Sequence, residues 1–183
     1  MRAALAAAIG SERVLDGRAE AIPLGDASVD AAVCADAFHW FDGDRAAAEL
    51  HRVVRPGGAV MALWTNNDDD MPWGEEITAL LRPLWERTRH PGIVEGRRAE
   101  SLERHGGFAP LRRAETAFED AIDREATLAW FASFSVVGAL PDDERAALLG
   151  RFAAILDRHG VTTVHRAWRA ELWVTRRQQS EEA

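Results

Sequence analysis

Gly17-Arg18-Ala19-Glu20-Ala21-Ile22-Pro23-Leu24, then Val29-Asp30-Ala31-Ala32-Val33-Cys34-Ala35-Asp36-Ala37-Phe38-His39-Trp40-Phe41-Asp42, then Glu49-Leu50-His51-Arg52-Val53-Val54-Arg55-Pro56-Gly57-Gly58 is the part of the chain whose reading decides the fold. Val29 to Ala35 is an almost continuous run of small apolar residues, which reads as a parallel strand buried on both faces. The connection leading into it, Gly17 to Ser28, carries the turn residues Pro23 and Asp26. Asp44 is placed to cap a helix from Arg45 to about Val54, in which Ala46, Leu50, Val53 and Val54 recur at helical spacing. Pro56-Gly57-Gly58 stops that helix, and Ala59 to Trp64 supplies the next strand. Strand, helix and strand in alternation predict an α/β sheet.

Outward from this segment, residues 2 to 9 are almost all Ala and Leu and predict a helix that Gly10 terminates. A short strand is expected at Arg13 to Asp16. On the other side, Thr65 to Met71 reads as a polar, acidic surface loop, and Trp73 to Thr88 as a helix with Ile77, Leu80, Leu81 and Leu84 on one face. The pattern breaks at Pro91-Gly92, and a shorter helix near Arg98 to Arg104 leads into Gly106-Gly107. Leu111 to Phe118 is expected to be a strand. Helices follow from Arg124 to about Val137 and from Pro141 to Arg158, the second with Pro141 in its first turn and Gly160 beyond its end. Trp168 to Thr175 alternates as a strand near a sheet edge would, and the tail from Arg176 is expected to fray. There is no internal repeat and no interior linker, so residues 1–183 read as one domain.

The 183 residues are 47% hydrophobic and 28% charged, the balance of an ordinary soluble protein with a hydrophobic core. A formal charge of -8 argues against a phosphate-backbone partner. No stretch approaches the roughly 20 apolar residues of a membrane span. The N-terminal Ala-rich run, followed by Ser11-Glu12-Arg13, reads as a helix and not as an export signal. A single cysteine, Cys34, excludes an internal disulfide framework and fits a reducing, cytoplasmic setting.

The ordered set between Gly17 and Trp64 resembles the second half of the nucleotide-binding core of class I S-adenosylmethionine-dependent methyltransferases. Phe38-His39-Trp40-Phe41-Asp42 resembles the subgroup that includes enzymes similar to trans-aconitate methyltransferases. The resemblance implies an incomplete Rossmann-like class I methyltransferase sheet with flanking helices, S-adenosylmethionine as cofactor and a small-molecule methyl acceptor. It implies that Gly17, Arg18, Ala19 and Glu20 form the turn bordering the adenine, with Arg18 where the family often has Asp or a small polar residue. Cys34, Ala35 and Asp36 would then end the strand that approaches the cofactor's amino-acid part. His39 and Trp40 would line the floor between cofactor and substrate, and Trp64 and Trp73 would flank the substrate rim. The family normally opens with a strand, a Gly-rich turn and a second strand ending in an acidic residue; none of these is found ahead of Gly17. Met1-Arg2-Ala3-Ala4-Leu5 looks like the helix after that second strand, so residues 1–183 are expected to be a partial domain, truncated at its front. In the family's strand order this leaves the backbone edge of Val29 to Ala35 uncovered, and self-association through that edge is expected.

Each of these residues also has a plainer reading. Trp40 can attract a sulfonium by its ring face and His39 can take a substrate proton, or the pair can be packing at a helix start. Asp36 is a cofactor or substrate ligand or a turn cap, and Glu20 a ligand or a turn stabiliser. Cys34 beside His39 reads as core and not as a nucleophile pair, since no orienting third residue is present. Asp68-Asp69-Asp70 reads as hydrated loop and not as a metal site. A non-catalytic remnant or interaction module on the same fold stands as the alternative function.

Overall fold

The computed structural model describes residues 2–67, 71–87 and 99–179. In chain order these form α1 (Arg2–Ile9), a 3-10 turn (Ser11–Arg13), β1 (Val29–Ala35), a second 3-10 turn (Phe38–Trp40), α2 (Gly43–Val53), β2 (Val54–Asn67), α3 (Gly74–Arg87), α4 (Glu100–Arg104), β3 (Arg112–Asp123), α5 (Arg124–Ala132), α6 (Ser135–Gly138), α7 (Asp142–Arg158) and β4 (Thr163–Arg176). The strands follow the order β1-β2-β4-β3, and β1 and β2 are parallel. This is a mixed sheet flanked by helices, of the Rossmann-like class I methyltransferase kind.

The described residues divide into two compact units. The first comprises residues 2–64, 99–114 and 171–179. Its core gathers Phe38, Ala47, Leu50, Val53, Val54, Val60, Ala62, Trp64, Leu102 and Phe108, with Ala32, Cys34 and Trp173 packed against them. Helix α2 forms as its apolar spacing requires, with Ala46, Ala47, Leu50 and Val53 buried. Its cap is Asp42 and not Asp44: the Asp42 carboxylate accepts from the Arg45 amide at 3.3 Å, and Asp44 lies in the first turn. Two acidic residues two positions apart both suit a helix start, and Asp42 has the extended backbone an N-cap needs.

Where α2 ends, the Arg177 guanidinium donates to the Val54 carbonyl at 2.8 Å, a group the helix leaves without an internal partner. Strand β2 begins at Val54 and runs straight through Pro56-Gly57-Gly58, longer than the expected Ala59 to Trp64. The register slips there, from Val29 opposite Val54 to Ala31 opposite Ala59. Gly58 is required at this slip, because a Cβ would lie 2.6 Å from the Asp30 carbonyl oxygen.

The second unit comprises residues 65–67, 71–87 and 115–170. Trp73, Ile77, Leu81, Phe131, Val137, Phe152, Ile155 and Leu156 form its core, with Leu80 and Leu84 packed against it, which matches the face expected of α3. In this unit the Arg166 guanidinium of β4 lies 4.9 Å from the ring centroids of both Trp130, on α5, and Trp168, and is paired with Asp120 of β3.

Several expectations are corrected. Arg13 to Asp16 is not a strand; a 3-10 turn ends at Arg13 and no regular element follows before the bridge at Arg18. Strand β1 is not buried on both faces: Ala32 and Cys34 pack inward, while Val33 is 61% exposed. A short apolar run cannot by itself reveal which face is covered. Thr65 to Asn67 continue β2 instead of opening a loop, and Asp68-Asp69-Asp70 lie outside the described residues, as do Thr88, Pro91-Gly92 and Arg98. The Leu111 to Phe118 strand runs on to Asp123, and the helix expected to reach Val137 breaks at Ser133 and Phe134. Pro141 precedes its helix as the N-cap. Strand β4 begins at Thr163 and lies between β2 and β3, so it is an interior strand and not an edge.

Candidate functional site

The site grows from the carboxyl end of β1 in the first unit. Ala35 pairs with Leu63, and the Asp36 amide donates to the Leu63 carbonyl at 2.8 Å, so the ladder persists one residue past the strand. Asp36 then takes φ 45, a left-handed conformation that a short polar side chain tolerates best among residues with a Cβ. That turn throws the chain into the 3-10 turn Phe38–Trp40, closed by Trp40 N–H to the Ala37 carbonyl at 2.9 Å. Phe38, 3% exposed, anchors the turn in the core against Phe41. His39 is thereby held half-buried and Trp40 is exposed, their rings 5.2 Å apart.

Strand β2 brings Trp64 beneath His39. The parallel register places Trp64 one residue beyond the partner of Ala35, and its indole Nε1 donates to His39 Nδ1 at 3.0 Å. Trp64 itself is 4% exposed and belongs to the core of this unit. Cys34 points the opposite way from Val33, into that core, and burial pushes its thiol up from its ordinary range.

The Gly17 to Glu20 turn is held by a separate set of contacts. Arg18 and Ala21 bridge antiparallel through two backbone hydrogen bonds, and a Cβ on Gly17 would meet Pro23 Cδ at 2.4 Å, so only glycine fits. The Glu20 carboxylate accepts from the Asp42 amide at 2.9 Å, and this hydrogen bond holds its carboxyl below the usual range. That contact ties the turn to the start of α2. Arg18 is well exposed and Ala19 half-buried.

Sequence reasoning missed the residues that fasten this turn from below. Glu49, on α2, accepts from the Ile22 amide at 2.8 Å and from Arg52 through both carboxylate oxygens. Arg52 in turn donates to the carbonyls of Ile22 and Leu24 and to Asp26. The Arg52 guanidinium and the Ile22 amide hold the Glu49 carboxyl down at about 2. The only local signal was a Glu and an Arg three apart on a helix, which is common on any solvated face.

The structure thus joins His39, Trp40 and Trp64 through side-chain contacts, with Asp36 at the entry to their turn and Cys34 and Ala35 on the strand that leads into it. Glu20 reaches the same region through Asp42. Trp73 belongs to the second unit, where it is 5% exposed and packs edge-on to Phe131 at 6.0 Å. Among the described residues no three His, Cys, Asp or Glu are gathered to hold a metal ion, and no helix is long and apolar enough to cross a membrane.

Comparison with known proteins gives consistent matches. Residues 1–62 match the family model described as "Methyltransferase domain". An uncharacterized methyltransferase-like protein of Schizosaccharomyces pombe, C25B8.10, is 36% identical over 129 residues, covering 70% of this chain and 49% of its own length. The uncharacterized methyltransferase Rv3342 of Mycobacterium tuberculosis is 30% identical over 159 residues, 85% of this chain and 60% of that protein. Among solved structures, a candidate type II methyltransferase from Anaeromyxobacter dehalogenans superposes with a TM-score of 0.54 at 26% identity, covering 87% of this chain and 69% of that one. The chain spans about half the length of the first two curated relatives it matches. With its mixed, helix-flanked sheet and these matches, the chain is a class I methyltransferase-fold protein related to several uncharacterized methyltransferases.

Proposed function

We propose that the chain carries part of a site for S-adenosylmethionine-dependent methyl transfer to a small-molecule acceptor. The observation that carries this reading is the cluster at the carboxyl ends of the parallel strands β1 and β2, where the left-handed Asp36 is followed by His39 and the exposed Trp40. In open α/β sheets, ligands bind outside the carboxyl ends of the strands. The chemistry of the donor set suits that cofactor: the Asp36 carboxylate suits an ammonium, the Trp40 face a sulfonium, and the backbone near Ala19 an adenine edge. When bound, the cofactor supplies an electrophilic methyl group.

The chain's own contribution is alignment of the acceptor and exclusion of water. Gly17, Arg18 and Ala19 offer backbone to the adenine side, with Cys34, Ala35, Asp36 and Trp40 toward the amino-acid side and sulfonium. Glu20, engaged with the Asp42 amide, holds the turn in place. His39 faces the acceptor. Trp64 enters the site through its bond to His39, while the buried edge-on packing of Trp73 favours a core role over the substrate rim. The single Cys34 supports a reducing compartment such as the cytoplasm.

A second reading, a non-catalytic interaction module, is favoured by one observation: among the described strands β1 ends the sheet, with Val33 61% exposed. Isothermal titration of the folded 183-residue chain with S-adenosylmethionine and S-adenosylhomocysteine separates the two. The methyltransferase reading expects saturable one-site binding that Asp36→Ala weakens. A folded chain that takes up neither compound sinks that reading and leaves the module.

A further inference from the structure

We propose that Trp64 is a positioning residue that fixes the tautomer of His39, so that His39 presents its proton at Nε2 and donates a hydrogen bond instead of accepting a proton. Its part in the reaction rests on the methyl-transfer reading above; the tautomer does not. An indole N–H can only donate, and it lies 3.0 Å from Nδ1. Nδ1 therefore holds its lone pair toward Trp64, and the one proton of the neutral ring sits on Nε2. A ring carrying its proton on Nδ1 would set two donors against each other across that 3.0 Å contact.

Neither partner can turn away cheaply. Trp64 is fixed by its place in the β2 ladder and its burial, and His39 sits in a 3-10 turn anchored by Phe38 and entered through the left-handed Asp36. The nitrogen with a free pair is thus the one occupied by Trp64. An imidazole in this state has no basic nitrogen to offer an acceptor without breaking that bond. Its Nε2–H is a donor and not a base. A proton carried by the methyl acceptor must leave to another group.

The test is a proton–nitrogen multiple-bond NMR spectrum of the 15N-labelled 183-residue chain at neutral pH, with the His39 signals identified by their loss in His39→Gln. The expected wild-type pattern is a protonated Nε2 and an unprotonated Nδ1; a proton on Nδ1 overturns the proposal. Trp64→Phe retains an aromatic ring but removes the N–H, and His39 should then move to an average of both tautomers. An unchanged Nε2–H pattern in a folded Trp64→Phe shows that Trp64 does not set it and also overturns the proposal. Should that variant not fold, solvent exchange of the Trp64 indole proton decides: it must be faster in His39→Ala than in wild type, and equal rates refute the bond. The titration with S-adenosylhomocysteine is independent of all these readings. Absence of binding removes the role in methyl transfer while the tautomer result stands.

Discussion

At the scale of single residues, the pair that matters most to the candidate site makes no claim on chemistry. Glu49 and Arg52 hold the backbone of Ile22 and Leu24 and so fix where the Gly17 to Glu20 turn lies. The Glu49 carboxyl is held at about 2 by Arg52 and the Ile22 amide, below its value in an unfolded chain. Its contribution to stability is complete above the unfolded carboxylate range and is lost as pH falls toward 2. Urea unfolding of wild type and Glu49→Gln should therefore differ clearly at neutral pH and converge on acidification. A gap that stays constant down to pH 3 would refute this account. None of it was legible beforehand, because the contacts join residues 27 to 30 apart in the chain. The inward positions Ala46, Leu50, Val53 and Val54 were legible, because helical spacing alone selects them. His39 and Trp40 could be singled out from their motif, whereas the bond from Trp64 depends on the β1–β2 register.

At the scale of elements, polar ends explain the boundaries that apolar spacing left vague. Helix α5 starts at Arg124 because the Asp123 carboxylate accepts from the Ala126 amide at 2.8 Å, and the buried Thr127 hydroxyl donates back to the Asp123 carbonyl. Asp123→Ala should cost about 0.5–2 kcal/mol, as loss of an N-cap does, read as a lower urea midpoint with unchanged slope. A variant as stable as wild type would show that this cap is immaterial. Strand identity was readable from apolar runs, but strand position was not. Trp168 to Thr175 alternates like an edge and is interior, since β3 covers its other side. The exposed side chains of β3 gave almost no apolar pattern, so its length was underestimated. Val29 to Ala35 reads as doubly covered from composition, yet only Ala32 and Cys34 of its middle residues find the core.

For the whole molecule, the relevant asymmetry is between a strand that has a neighbour on each side and one that does not. Among the described strands β1 has β2 on one side only, and Val33 is 61% exposed on it. Such an edge templates pairing with another chain. Size-exclusion chromatography with light scattering should show concentration-dependent association of the 183-residue chain, reduced by Val33→Lys. A single monomeric species at high concentration would refute it. The α/β class and the resemblance were legible because several spaced elements agree in order. The division into two cores was not, since each core draws on stretches far apart in sequence.

That division bears on how the chain is made. The first unit needs Trp173 against its core and Arg177 at the end of α2, yet most of its other residues precede position 65. During synthesis, residues 2–64 emerge long before their partners. Trp173 and Arg177 follow only after more than a hundred further residues, about 5–20 s at ordinary ribosomal speed, so the packing and the hydrogen bond they supply are added last. For that interval the core of this unit lacks Trp173 and the end of α2 lacks Arg177. The yield of native protein from a cell should therefore track translation rate and chaperone supply more closely than the stability of the finished fold.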